Sequence, residues 1–203
     1  MHDLWDELSR NIANSQDRVL FDEAKEAARA GAPRAAYIAV WLSCAESLKR
    51  KFADAAQTDH VAAKVIGDIS DRECKKQSID AFVLDEAKEY GFVSAAEFTQ
   101  LANVYDQRCI YGHPYEQAPL SAQLEAAAAI VVEYVLSRPT KLRHGYLDRQ
   151  VDLLCKSSTY LDDHRPAVES CAQVVHQRSS SDIHQWFLKK LWQEHASNEE
   201  GRI

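Results

Sequence analysis

The stretch Tyr105-Asp106-Gln107-Arg108-Cys109-Ile110-Tyr111-Gly112-His113-Pro114 holds the arginine and histidine best placed to do chemistry. At about 100° per helical residue, Phe98, Ala102, Tyr105 and Cys109 form the centre of an apolar stripe, with Arg108 at its edge beside Leu101. A guanidinium beside a core stripe stays charged, so it needs a carboxylate, another subunit or an anionic ligand. Pro114 disfavours helical geometry at His113 and places that imidazole at the helix end. The spacing predicts that the two side chains converge on one solvent-reachable point, offering fixed positive charge and a group that can exchange a proton. A purely structural use of the same pair is to cap the last carbonyls of the helix and bridge to a local acid.

Other constellations are less specific. Cys155, His164, Cys171 and His176 are spaced unlike any common zinc ligand set, and neither a metal nor a cofactor is expected. Ser157-Ser158 lacks the strand-turn-helix setting of a nucleophilic serine, and no Gly-rich phosphate loop is present. Lys49-Arg50-Lys51 and Lys75-Lys76 read as solvated faces. Arg138, Lys141, Arg143 and Arg149 follow the helix after the Arg–His stretch and are the preferred contacts for an RNA backbone. Trp186, Phe187, Leu191 and Trp192 form an apolar stripe that is either core or a docking face for a protein partner or a further domain.

The elements that must position these residues are helical. Two amphipathic stretches occupy residues 4–30, one around Leu4, Trp5, Leu8 and Ile12, the other around Val19, Leu20, Ala24, Ala27 and Ala28. Gly31 stops the second, and Pro33 suits the first turn of a helix over 34–56 that buries Tyr37, Val40, Trp41, Cys44, Leu48 and Phe52. A short helix is expected over 61–69 and a clearer one over 74–90, ended by Gly91. Ser94 and Glu97 spell a capping box that opens the helix carrying Arg108. A helix over 120–136 ends before Pro139, and three shorter ones follow over 146–155, 166–176 and 182–195, the last with Ser179-Ser180-Ser181-Asp182 as an N-cap cluster.

Composition agrees. With 203 residues, 6 Gly and 5 Pro, the chain is neither collagen-like, disordered nor a turn-rich sandwich, and abundant alanine favours helix. A formal charge of -7 argues against a protein that coats nucleic acid through a broad basic surface, while leaving room for a local phosphate site. The 5 cysteines, odd in number and never spaced C-x-x-C, read as free thiols of a reducing compartment. The N-terminus is charged from the start, and the longest apolar run, 126–132, is too short for a bilayer. A cytoplasmic protein with no membrane partner is expected.

Arg108-Cys109-Ile110-Tyr111-Gly112-His113 resembles the R-x4–6-H signature of HEPN (higher eukaryote and prokaryote nucleotide-binding) domains. The same spelling recurs at Arg138–His144 and Arg178–His184, but only Arg108–His113 closes a long helix, precedes a Pro-containing loop and leads into an Ala- and Val-rich helix. The helix over 35–52, with Glu46 inside it, is similar to the one that opens many such domains. Cys109 departs from the Asn, Asp or His that ribonuclease members often carry after the arginine. The resemblance implies an all-α chain: an N-terminal helical arm over 1–32, a HEPN-like four-helix bundle over 33–140 and a small C-terminal helical extension over 141–203, the last a candidate start of a further domain. It also implies a metal-independent endoribonuclease of toxin or anti-phage type, leaving 2′,3′-cyclic phosphate and 5′-OH ends. Arg108 would stabilise charge and His113 would transfer protons, with a homodimer supplying the second histidine; Glu46, Asp106 and Tyr111 would orient the pair. The alternative is a non-catalytic HEPN-like module for dimerisation, nucleotide binding or regulation of a larger assembly.

Overall fold

The computed structural model describes residues 4–115, 117–157 and 159–200, with side chains through Ser197. The described residues are all-α: α1 Leu4–Arg10, α2 Ser15–Arg29, α3 Pro33–Ala56, α4 His60–Cys74, α5 Asp80–Tyr90, α6 Ala95–Tyr111, α7 Ser121–Val131, α8 His144–Lys156, α9 Arg165–Arg178 and α10 His184–Glu200. They contain no strand, only an isolated bridge between Leu142 and Ser179, and none of these helices is long and apolar enough to cross a membrane.

Most boundaries follow the local signals. Gly91 adopts φ 89° after α5, the left-handed geometry that an alanine would resist. The Ser94–Glu97 capping box forms with both reciprocal bonds. Three details differ from the sequence reading. The helix expected from residue 74 starts instead at Asp80, because α4 continues to Cys74 and Lys76 turns the chain at φ 56°. The helix after the Pro-containing loop ends in a π-helical turn, Val132–Leu136. The serine cluster does not cap α10 through a side chain: it enters a 3-10 turn, Ser181–Ile183, while Ser179 Oγ donates to Val175 O at 2.6 Å.

The chain divides into two compact units, Met1–Phe52 with Val65–Pro139, and Ala53–Lys64 with Thr140–Ile203. In the first, the face of α3 read from the sequence is the core: Val40, Trp41, Cys44 and Phe52 are fully buried. That burial pushes the Cys44 thiol up to about 12. Residues expected to form an arm belong to this unit. Phe21 and Ala24 of α2 are fully buried, with Asp17 rather than Val19 completing the inward line. Asp17 accepts a hydrogen bond from Ser47 Oγ at 2.7 Å and touches the Arg50 guanidinium, so a charged pair joins α2 to α3. Phe52, Tyr90 and Phe92 form an aromatic cluster with centroids 4.8–5.5 Å apart, Phe52 edge-on to both partners.

In the second unit fewer apolar side chains are buried. Gly145 starts α8 against the backbone of Thr58, whose carbonyl oxygen would lie 2.0 Å from any added Cβ, so only glycine fits. Leu142 N donates to Arg178 O at 2.6 Å and Ser180 N to Leu142 O at 3.1 Å, fastening the segment before α8 to the end of α9. Trp186 meets the His144 ring edge-on at 4.6 Å. The predicted stripe on α10 is only partly covered: Phe187 and Leu191 are half-buried, whereas Trp192 is 72% exposed. An apolar cavity of about 400 Å³ separates α8, α9 and α10, with Cys171, Val175 and Phe187 in its wall.

Candidate functional site

Helix α6 packs against both α5 and α7, and this double contact sets which of its faces is buried. Leu101, Val104 and Tyr111 are the buried residues, while Phe98, Ala102, Tyr105 and Cys109 lie half-exposed at the flank. The stripe is thus rotated from the sequence reading. Arg108 lies on the inward line between Val104 and Tyr111 instead of at its edge.

That position gives Arg108 an acidic neighbour. Its Nη2 lies 3.6 Å from Asp80 Oδ2, with side chains 31% and 16% exposed. Asp80 is the first residue of α5, where the helix dipole favours a carboxylate. The same Oδ2 accepts a hydrogen bond at 3.0 Å from the indole Nε1 of the fully buried Trp41. The Arg108 guanidinium makes no hydrogen bond among the described residues, and its Nε is buried without a hydrogen-bond partner. Beside this pair, the Tyr105 ring sits 5.1 Å from Trp41. Burial first, then hydrogen bonding with the Cys109 thiol, holds the Tyr105 phenol above its ordinary range, and the Ser78 hydroxyl pulls the other way.

His113 lies one residue beyond Gly112 and is exposed. Its backbone N donates to Ile110 O at 3.0 Å. Arg34, in the first turn of α3, closes this helix end: its Nη1 donates to His113 O at 2.8 Å and to Tyr111 O at 3.2 Å. Carbonyl capping therefore falls to Arg34 and not to the Arg108–His113 pair. The His113 imidazole makes no hydrogen bond, and no bond or ion pair joins it to Arg108 among the described residues. The two side chains share one end of α6 without meeting.

The residues expected to orient them are engaged elsewhere. Glu46 Oε1 accepts from Lys49 Nζ at 3.2 Å, and Lys49 also reaches Glu73 Oε1 at 2.8 Å. Tyr111 is buried edge-on against Tyr37 at 4.9 Å, and Asp106 is exposed. The expected RNA contacts fall in different units. In the first, Arg138 Nη2 donates to Glu97 Oε1 at 2.8 Å, which together with Ser94 holds the Glu97 carboxyl at about 2. In the second, Lys141 Nζ caps Gln177 O at 2.7 Å, Arg143 precedes α8 and Arg149 is exposed on it. Arg138 and Lys141 are thus already engaged, by a carboxylate and by a carbonyl.

Cys155, His164, Cys171 and His176 do not gather as a metal-ligand group among the described residues; the one group with ligand atoms within 4.8 Å is Asp162, Asp163 and His164, all exposed. All 5 cysteines are free, in agreement with their spacing. Asp80 and Arg34 went unread in the sequence. The start of α5 at Asp80 carries no side-chain cap that would mark it, and Arg34 lies more than 70 residues from the carbonyls it caps. No family model, curated protein or solved structure matches the chain.

Proposed function

We propose that the chain is a metal-independent endoribonuclease of HEPN type, with Arg108 and His113 as catalytic residues of a composite site completed by a second copy. The observation that carries this reading is the state of Arg108. A guanidinium two-thirds withdrawn from water, with one loose ion pair at 3.6 Å and no hydrogen bond among the described residues, keeps its Nη donors for an incoming anion. His113 stands exposed at the end of the same helix, where an RNA strand can reach it. In the reaction, one histidine removes the proton of the 2′-OH as that oxygen attacks the adjacent phosphorus. The bond to the 5′ oxygen breaks, and the partner's histidine protonates the leaving oxygen, giving a 2′,3′-cyclic phosphate and a 5′-OH. Arg108 stabilises the charge that builds on the phosphorane oxygens. The HEPN-like core would be built on α3, α5, α6 and α7, in a cytoplasmic toxin or anti-phage protein.

The second reading, a non-catalytic HEPN-like module that pairs, binds a nucleotide or regulates a larger assembly, is favoured by Asp80. Its carboxylate already offsets Arg108 within the chain. RNA cleavage by the purified protein in the presence of EDTA separates the two. Wild type should cut and leave cyclic-phosphate ends, and His113→Ala should lose about 10²–10⁴-fold in rate. A folded wild-type dimer that leaves RNA intact would sink the enzyme reading in favour of the pairing module.

A further inference from the structure

We propose that the recess between α6 and α7 is a base-recognition pocket for adenine, holding a base of the strand whose phosphate lies at Arg108. Its placement on an RNA strand rests on the ribonuclease reading, whereas its chemistry for adenine does not. The recess has a volume of about 270 Å³. A cavity of about 150 Å³ takes benzene, so this one has room for a planar bicyclic ring.

The lining points to a base. Gln100, Asn103 and Gln107 recur at i, i+3 and i+7 on one face of α6, Gln123 faces them from α7, and Tyr37 and Tyr111 supply aromatic rings. Four carboxamides therefore meet in one recess that no lysine, arginine or carboxylate lines. Such a site has nothing to hold a phosphate by charge, yet it is rich in paired donors and acceptors.

The hydrogen bonds already made define what is left over. Gln123 Oε1 accepts from Leu120 N at 2.8 Å, which a backbone N–H can give only to the oxygen, so its NH₂ group remains available as donor. The Gln100 amide is engaged with the Tyr134 hydroxyl at 3.0 Å. Asn103 and Gln107 make no side-chain hydrogen bond among the described residues, so each presents a donor and an acceptor in one plane. Two such groups fit adenine, the one base whose exocyclic N6–H₂ donates beside an accepting ring nitrogen on both its Watson–Crick and its Hoogsteen edge, at N1 and at N7. Guanine, with two adjacent acceptors at O6 and N7, suits arginine or lysine instead. Tyr37 and Tyr111, packed edge-on against each other, form with Val104 and Ala127 the apolar floor against which a base would rest. Gln107 immediately precedes Arg108 and Tyr111 follows it by one turn, so base and phosphate would lie against neighbouring faces of the same helical turn.

The test compares adenosine, guanosine, cytidine and uridine by saturation-transfer NMR on the full chain. In parallel it measures binding and cleavage of an adenine-containing oligoribonucleotide against an all-uridine one. The variants are Asn103→Ala/Gln107→Ala, at an exposed and a half-buried position, and Gln107→Glu, which keeps the shape and replaces the donor. Wild type should prefer adenosine, and the double variant should lose about 10–100-fold of that preference while handling the all-uridine strand as wild type does. Adenosine held with this residue dependence, but RNA neither bound nor cut, would keep the pocket and remove the ribonuclease reading. RNA cut with no preference for adenine, or with a preference unchanged in both variants, would overturn the pocket and leave the ribonuclease reading standing.

Discussion

Arg50 and Arg108 each face an aspartate from a neighbouring helix of the first unit, yet they are held in opposite ways. Arg50 touches Asp17, whose side chain is 4% exposed and whose second oxygen is taken by Ser47. Arg108 stands 3.6 Å from Asp80, whose carboxylate also accepts from an indole N–H, and its side chain donates no hydrogen bond among the described residues. The first arrangement closes the ion pair on itself and ties α2 to α3. The second leaves a guanidinium oriented but unsaturated. An arginine kept for structure and one kept for a ligand are distinguished here by how closely the fold's own carboxylate meets the guanidinium and how deeply that carboxylate is buried.

The contrast can be broken by mutation. Asp17→Ala leaves Arg50 without its counter-charge in a buried setting and should cost about 3–5 kcal/mol, read as the fall in urea-unfolding free energy. Asp80→Ala strips the partner from the buried Trp41 N–H and should cost less, about 1–3 kcal/mol by the same measurement. If the two losses are equal, Arg108 is as structural as Arg50 and the functional contrast disappears. Asp80→Asn sharpens the test, because it keeps an oxygen for Trp41 while removing the charge. It should strengthen RNA binding and steepen its salt dependence, measured as the slope of log affinity against log salt.

A third arginine, Arg138, gives a calibrating case through pH. Its hydrogen bond first, then those of Ser94, hold the Glu97 carboxyl at about 2 against an ordinary 4.5, with burial opposing. The folded value lies below the unfolded one, so the contribution is full above about pH 4.5 and is lost as pH falls towards 2. It should amount to about 1–2 kcal/mol once solvent screening is allowed for, and Glu97→Gln should flatten that limb of the stability–pH curve. Smallest of the series, Ser94→Ala removes the cap of α6 and should cost about 1 kcal/mol, seen as a lowered thermal midpoint.

The sequence was most legible where one residue type dictates local geometry. Pro33, Gly91 and the Ser94–Glu97 box fix helix ends by backbone chemistry alone, and the inward face of α3 follows from its 3.6-residue period. The phase of α6 was less legible because two neighbours cover it. A helix touched on both sides buries a wide face, and aromatic residues such as Phe98, packed beneath Lys88 at 5.1 Å, settle at its flank. Around Arg108, the arginine and histidine could be read from their spelling, but the aspartate beside the arginine could not. Its role depends on where α5 begins, and Lys76 in the left-handed region, which ends the preceding run, carries no sequence signal of the kind glycine gives.

The π-helical turn at Val132–Leu136 has a consequence for how this stretch tolerates changes in length. Ser137 N reaches back five residues to Val132 O at 2.9 Å, so one extra residue is accommodated within the turn. At its last residue and just beyond, Leu136 O receives Ala13 N at 2.9 Å, Arg138 O receives Lys51, and the Arg138 side chain reaches Glu97. Removing any one residue from 132–136 would restore ordinary α-helical pitch and swing all three contacts about 100° out of alignment at once. Single-residue deletions here should therefore be far more damaging than conservative replacements at the same positions, because this segment is constrained by residue count more than by side-chain identity.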